Sequence, residues 1–402
     1  MKKVLATVAA ASIVAAGAPA FAADVDLSGE VRVRYENKNN FKDFNDDAGD
    51  LSNDTSQRTR LSATVKVDDQ TTAKITLNDA RTWASEAKTD ANGNNVDLNE
   101  GYLQINNAIG PVSIKAGRQA LAYGNQRLIG SLEWADQSRR FDALKLTYAS
   151  EVVDVDVVSA KTALGEGPVD AKGNPTPASD DQLNIVYATI KNVIPANTLD
   201  AYLIQKIGGH GDYTNFNTVG VRLAGKAAGA DWTAEVANQA GDAATDGVDQ
   251  EASAMAITAG YTLSNVLGGL RIGGEVFSAT GDDGTDASTS ENFDHLYPTN
   301  HYHFGIADIM NDWSNITGSA IKISAKPAAG LTVKAEIWAM EEVEGGALGE
   351  NELTEMNVQV KYGLTEKTQL YVYYAMVSYD PADTTENDDD ATKLGIQLSA
   401  KF

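Results

Sequence analysis

Apolar and polar residues alternate along this chain in runs of about ten residues, the length a tilted strand needs to cross a bilayer. Arg58-Thr59-Arg60-Leu61-Ser62-Ala63-Thr64-Val65-Lys66-Val67 shows the pattern well, and Thr332-Val333-Lys334-Ala335-Glu336-Ile337-Trp338 repeats it. Period two is the spacing of a strand whose faces meet different surroundings, here lipid on one side and a polar interior on the other. Eighteen such runs are predicted, with sixteen as the alternative count. They begin near Val25, Arg58, Thr72, Asp97, Val112, Phe141, Val152, Gln182 and Asn197. The second set begins near Thr214, Asp231, Ala252, Leu270, Thr317, Leu331, Leu353, Thr368 and Thr392.

The linkers alternate in length. Long polar stretches at Lys38 to Asp54, Trp83 to Asn95, Ala120 to Ser138 and Ala163 to Asp180 are separated by tight turns at Asp68-Asp69-Gln70, Asn106 to Gly110 and Ser150-Glu151. Later tight turns are expected near Pro195, Gly229, Asn265, Pro327 and Gly363, with longer loops between them, the longest from Thr280 to Asn315. Short turns at one rim and long loops at the other describe a bacterial outer-membrane β-barrel, with the turns periplasmic and the loops extracellular. A soluble β-sandwich has no reason to alternate in this way. The fold class expected is therefore all-β, a transmembrane antiparallel barrel.

Parity within the strands places charges. With Leu61, Ala63, Val65 and Val67 toward lipid, Arg58, Arg60 and Lys66 turn inward. In the first strand Val25, Leu27, Val31 and Val33 face out and Glu30, Arg32, Arg34 and Glu36 face in, while Arg271 and Glu275 share an inward face further on. The reverse assignment would put each Arg or Lys in hydrocarbon at about 2–4 kcal/mol near the midplane. Arg118 is in phase with Val112, Ile114 and Ala116, so parity aims it at lipid unless a bulge follows Gly117 or the residue stands above the membrane. Arg81 is in the same position against Ile75 and Leu77.

Charge and composition narrow the reading. The formal net charge is −24, which argues against a nucleic-acid partner, since phosphate binding needs a basic surface. There is no cysteine and so no disulfide or thiolate chemistry. A mean hydropathy of −0.28 fits a barrel as well as a soluble protein, because only alternate strand residues meet lipid. At the N-terminus, Lys2 and Lys3, an apolar run from Val4 to Ala18, and Ala20-Phe21-Ala22 form the three parts of a signal peptide. The expected organisation is a cleaved leader over residues 1–22 and one barrel domain over 23–402, exported to the outer membrane. Leu394, Ile396, Leu398, Ala400 and Phe402 share one face of the last strand. A terminal phenylalanine in that phase resembles the signal by which the barrel assembly machinery inserts such proteins among lipid and lipopolysaccharide.

Against this acidic background, Arg118, Arg127, Arg139 and Arg140 cluster between Gly117 and Tyr148. Guanidinium groups hold carboxylates and phosphates through a planar fork, so the cluster reads either as an anion-handling surface or as a loop pinned by pairs to Asp136 and Asp142. The same loop carries Tyr123, Trp134, Leu121, Leu128, Ile129 and Leu132. Its length suggests a functional segment and its apolar content an ordered one, folding inward as a constriction with Tyr123 and Trp134 at the narrows.

Gly117-Arg118-Gln119, Tyr123 to Gly130, Glu133-Trp134 and Ser138 to Ala143, together with a second block from Tyr297 to Asp308, resemble the signature stretches of the alginate export family of outer-membrane porins. The resemblance implies an 18-stranded barrel with a basic, arginine-lined lumen passing a polyuronate, assisted by periplasmic partners. Carried onto this chain, it puts Arg118, Arg127, Arg139 and Arg140 on the solute path with Arg58 and Arg60 below. Arg32, Arg34, Lys66 and Arg271 complete the expected lining. Acidic stretches in the outer loops, such as Asp43 to Asp54 and Asp380 to Asp390, would repel a polyanion arriving from outside. The expected function is a porin for an anionic polysaccharide or other small anionic solutes; the alternative is a general diffusion porin.

An outer-membrane enzyme is the rival of another class, and it has little support. No G-x-S-x-G or H-E-x-x-H stretch is present, and His210, His295, His301 and His303 all fall in loops. His301 and His303 with Asp294 or Asp308 are read as loop packing rather than a metal site. No metal or cofactor is expected.

Overall fold

The computed structural model describes residues 24–41, 44, 51–84, 96–163, 181–192, 196–209, 212–310, 312–345, 351–381 and 388–402, with the backbone of 166–169 and 175–177. The signal-peptide residues, His210 and most of the acidic stretches at 43–50 and 382–387 lie outside these.

Eighteen antiparallel strands close into a barrel. They are β1 Asp24–Asn39, β2 Ser52–Lys66, β3 Thr71–Thr82, β4 Val96–Ile109, β5 Val112–Gln119 and β6 Phe141–Ala149. Then come β7 Val153–Ala163, β8 Asp181–Lys191, β9 Asn197–Ile207, β10 Asn215–Ala227, β11 Ala230–Asp242 and β12 Asp249–Leu263. The last six are β13 Leu270–Ala279, β14 Ile316–Ala328, β15 Leu331–Glu341, β16 Glu352–Gly363, β17 Thr368–Asp380 and β18 Ala391–Lys401. Each pairs with its neighbours in the chain, and β18 returns to β1, from Glu30↔Lys401 to Asn39↔Thr392. Closure removes the sheet edges, which a bilayer cannot tolerate. The terminal Phe402 extends it: Gly29 and Phe402 exchange backbone hydrogen bonds of 2.8 and 3.1 Å.

The count of eighteen holds, and the boundaries fall within a few residues of expectation with one exception. β2 starts at Ser52 rather than Arg58, because Ser52 to Gln57 continue the pairing with β1. Pro327 sits inside β14 beside a register shift, and the turn there is Ala329-Gly330. Seven short turns whose residues are all described mark one rim and longer connections the other, and the expected turn near Pro195 lies outside the described residues.

The outer face carries a band of exposed apolar side chains: Leu61, Ile75, Val219, Ile257, Ile272, Ile321 and Ile337 among them. Lipid covers such a band in place of a protein core. The inner face departs from the expected wet lumen. Every one of the eighteen strands has at least one inward side chain that is buried, from Arg32 on β1 and Arg58 on β2 through Leu183, Ile185 and Phe277 to Ala375 and Lys393. What buries them is the protein's own chain. Leu121, Leu128 and Ile129 from the connection after β5 join Phe293, Leu296, Phe304, Ile306 and Trp313 from the connection after β13 in one apolar cluster with the wall. Trp313 and Phe293 are fully enclosed, and a fully buried aromatic side chain of this kind contributes about 1.5–3 kcal/mol.

Ile257, exposed near the middle of β12, tests which face meets lipid. Ile257→Arg should destabilise the barrel by about 2–4 kcal/mol in urea unfolding from lipid vesicles, where a water-facing position would show almost no loss.

Candidate functional site

The segment 131–140 has no regular secondary structure, so its carbonyls lack ladder partners and must find donors elsewhere. They find arginines. Arg32 donates to the carbonyl oxygens of Glu133 and Ala135 at 3.2 and 3.1 Å. Arg58 donates to the same two at 2.8 and 2.9 Å, and Arg34 to that of Trp134 at 2.7 Å. Five hydrogen bonds from three guanidiniums thus hold three consecutive carbonyls. Carboxylates reinforce them: Asp136 on Arg32 at 2.5 Å, and Glu133 between Arg60 at 2.5 Å and Arg140 at 2.7 Å. The Arg34 guanidinium also lies 3.6 Å above the Trp134 ring. The segment is thereby fixed inside the barrel.

The second loop locks onto the first. Ile129 and Tyr297 form a parallel bridge, with Tyr297 N donating to Leu128 O and Gly130 N to Tyr297 O, both at 2.8 Å. Arg139 donates to Pro298 O at 2.6 Å. A Cβ at Gly130 would lie 2.2 Å from Thr299 Oγ1, so the glycine permits this approach. Trp134 stacks on His301 at 3.8 Å between ring centres, 7° from parallel. The two sequence blocks, far apart in the chain, are therefore one object.

That object is also tied to β16 and β18. Glu355 on β16 accepts from the backbone N–H of Ile306 at 2.6 Å and of Ala307 at 2.9 Å. Gly305, at φ +85°, lies so close to the Glu355 carboxylate that a Cβ would come within 2.3 Å. Lys393 on β18 donates to Ile306 O at 2.8 Å and pairs with Asp308 at 3.0 Å and Glu36 at 3.5 Å. His301 Nδ1 is 2.8 Å from Asp308, a hydrogen-bonding and packing role; among the described residues no group of three His, Asp or Glu gathers as metal ligands.

Several expected pore residues have other positions. Arg118 is on the outer face, paired with outward Asp142 at 2.8 Å and exposed; its parity with Ile114 and Ala116 prevails because no bulge turns it. Arg127 is fully buried, paired with Glu275 and surrounded by the Phe277, Phe304 and Trp313 rings at 5.9, 5.5 and 5.1 Å. It anchors the loop and cannot reach a solute. Arg139 lies against Tyr297 at the junction of the loops. Arg271 pairs with Asp231 at 2.6 Å and Lys66 with Asp69 at 3.3 Å, both near the short-turn rim. Arg81 pairs with Asp79 on its own strand. Tyr123 donates to Asp156 at 2.9 Å and stacks on Tyr187, so of the two constriction aromatics only Trp134 borders open space.

That open space is a cavity of about 760 Å³ beneath the joined loops, bordered by Trp134, Tyr302, Arg58, Arg60, Lys334 and Lys361. Its lining holds six cationic side chains, adding Arg32 and Lys401, against three acidic ones, Glu30, Glu133 and Glu336. The acids are engaged: Glu30 with Arg58 at 2.5 Å, Glu133 as above, and Glu336 with Gln359 at 3.2 Å. Among the described residues Lys334, Lys361 and Lys401 have no carboxylate partner; Lys361 lies 4.5 Å over the Tyr371 ring. The sequence reading missed these three. Their signal was available in the inward parity of Lys334 against Val333, Ala335 and Ile337, of Lys361 against Val358, Val360 and Tyr362, and of Lys401 against Leu398, Ala400 and Phe402.

A family model described as alginate export matches residues 24–339. Among curated proteins nothing matches. Solved structures share the architecture: Pseudomonas aeruginosa OccK3 (OpdO), 12% identical, with a TM-score of 0.65 over 94% of this chain and 96% of that one. The P. aeruginosa outer membrane protein OprD gives 11% and 0.63 over 94% of each chain. P. aeruginosa OpdK, solved with vanillate, gives 11% and 0.64 over 94% and 98%. At these identities the likeness concerns the fold.

Burial lowers the His301 pKa below its usual 6.5, and Lys393 and Arg34 push the same way, against Asp308. The ring therefore binds fewer protons in place than when released, so falling pH favours release, beginning near pH 6.5. Asp308 resists this: burial would raise its pKa, but His301 and Lys393 hold it down to about 2. The difference between wild type and His301→Phe, which keeps the ring on Trp134, isolates this contribution: in planar bilayers the variant's open-channel probability should rise less than the wild type's as pH falls from 7 toward 5.

Proposed function

The chain belongs to the alginate export family, and from that membership we propose that its channel carries solutes bearing carboxylates, with the cavity below the loops as their binding region. It is an outer-membrane channel and not an enzyme. The observation that carries the proposal is the set of lysines without a carboxylate partner among the described residues, Lys334, Lys361 and Lys401, which line the same cavity as Arg58 and Arg60. A volume near 760 Å³ is that of a small-molecule pocket. It accommodates a sugar acid or an aromatic acid, the chemistry of the vanillate found in OpdK. A whole polyuronate strand passes only once the two loops move aside. Conduction requires such sites to hold a solute loosely enough to release it, and lysines on flexible stems suit this better than guanidiniums already committed to carbonyls.

Residues 1–22 act as a leader removed on export and residues 23–402 as the single barrel domain. The barrel assembly machinery inserts it among lipid and lipopolysaccharide, and periplasmic partners bring polymeric solute to the short-turn rim.

Liposome swelling separates this from a general diffusion porin. Glucuronate should enter faster than glucose, and the double change Lys334→Gln with Lys361→Gln should lower glucuronate entry several-fold while sparing glucose. Equal entry of both solutes into wild-type liposomes would favour the general porin.

A further inference from the structure

The cradle on Glu133 shows what kind of group this wall binds. The carboxylate has one oxygen 2.5 Å from Arg60 Nη1 and 4.0 Å from Arg58 Nη1, and the other 2.7 Å from Arg140 Nη2. Arg58, Arg60 and Arg140 are themselves buried or nearly so, while Glu133 is the partner open to the cavity, its side chain 40% exposed. Arg140 Nε is buried without a hydrogen-bond partner among the described residues, its closest carboxylate being Glu100 at 3.9 Å. Two guanidiniums, Arg60 and Arg140, thus hold one carboxylate, with Arg58, itself bonded to Glu30, 4.0 Å away.

We infer that Arg60 and Arg140, flanked by Arg58, form a carboxylate-binding subsite which the protein's own Glu133 occupies at rest, and that a carboxylate on the permeating solute exchanges with it. The inference rests on the reading of the cavity as the solute's path and adds an identity for its tightest station. Glu133 stays attached to a backbone held by Arg32 and Arg58, so it needs only a side-chain rotation to vacate the cradle. The competing group is always at hand, which keeps an incoming acid from binding too tightly to leave. Lys334, Lys361 and Lys401 supply the first attraction and the cradle the second. No bond is made or broken; one carboxylate replaces another in the same charge-assisted hydrogen bonds.

Glu133→Gln removes the competing charge at nearly constant volume. With the full-length protein in planar bilayers, the concentration of glucuronate that half-blocks the current should fall about tenfold, equivalent to about 1.4 kcal/mol. Glucose, the neutral probe, should behave as in the wild type. Adding Arg60→Gln should erase the gain. Glu133→Asp, which withdraws the carboxylate by one methylene, should move the half-block in the same direction by less, and it serves should the glutamine variant fail to insert. Unchanged or weaker block in a folded Glu133 variant overturns the inference while leaving anion passage intact, provided the wild type prefers glucuronate. A wild type with no such preference removes the underlying reading as well.

Discussion

The structure depends on the hydrogen bonds between inward arginines of β1 and β2 and the carbonyl oxygens of Glu133, Trp134 and Ala135. A barrel of eighteen strands encloses more space than inward side chains alone fill, and a guanidinium facing that space is costly unless hydrated or paired. A loop with unspent carbonyls is equally costly unless it finds donors. Each resolves the other's deficit. Hydrogen bonds to charged groups of this kind contribute about 1.5–3 kcal/mol each, and five of them bear on three consecutive residues.

Once that loop is fixed, much else follows. Trp134 offers a flat face for His301, the second loop pairs along Ile129, and the apolar side chains of both meet the inward residues of β6 to β17 as a core. Glu355 and Lys393 complete the anchoring from β16 and β18. The arginines thus shape the channel's interior instead of lining a free ladder, and Lys334, Lys361 and Lys401 remain, among the described residues, as its cations without a carboxylate partner. Division of labour between the two residue types matches their chemistry: a planar fork of donors suits fixed carbonyls, and a mobile ammonium suits a transient guest.

The barrel was legible because lipid imposes one period on every strand: Leu61, Ile257 and Ile337 announce the outer face without reference to anything distant. The lumen was less so. Leu183-Asn184-Ile185-Val186-Tyr187 puts apolar residues on both faces, and nothing local says that Leu183 and Ile185 meet loop residues far away in the chain. Arg118 and Arg127 were drawn in by their motif, although parity already aimed one at the outer face and a buried carboxylate, Glu275, claims the other. That Arg58 and Arg60 face inward was readable from alternation; that Glu133 and its carbonyl would claim them was not, since it depends on how a loop folds back. The acidic net charge misled only in part, because the acids that reach the cavity are already engaged.

The two loops fill the outer half of the lumen, and a thiol reagent can test whether they do. The chain lacks cysteine, so a single one reports cleanly. Ala375, inward on β17 and fully buried in the plug, is the position to choose, with Ser288→Cys, on an exposed loop, as the positive control. A membrane-impermeant thiol reagent applied to intact cells should label Ser288→Cys readily and leave Ala375→Cys unmodified. Labelling of both at similar rates would mean an open bore and would contradict the account.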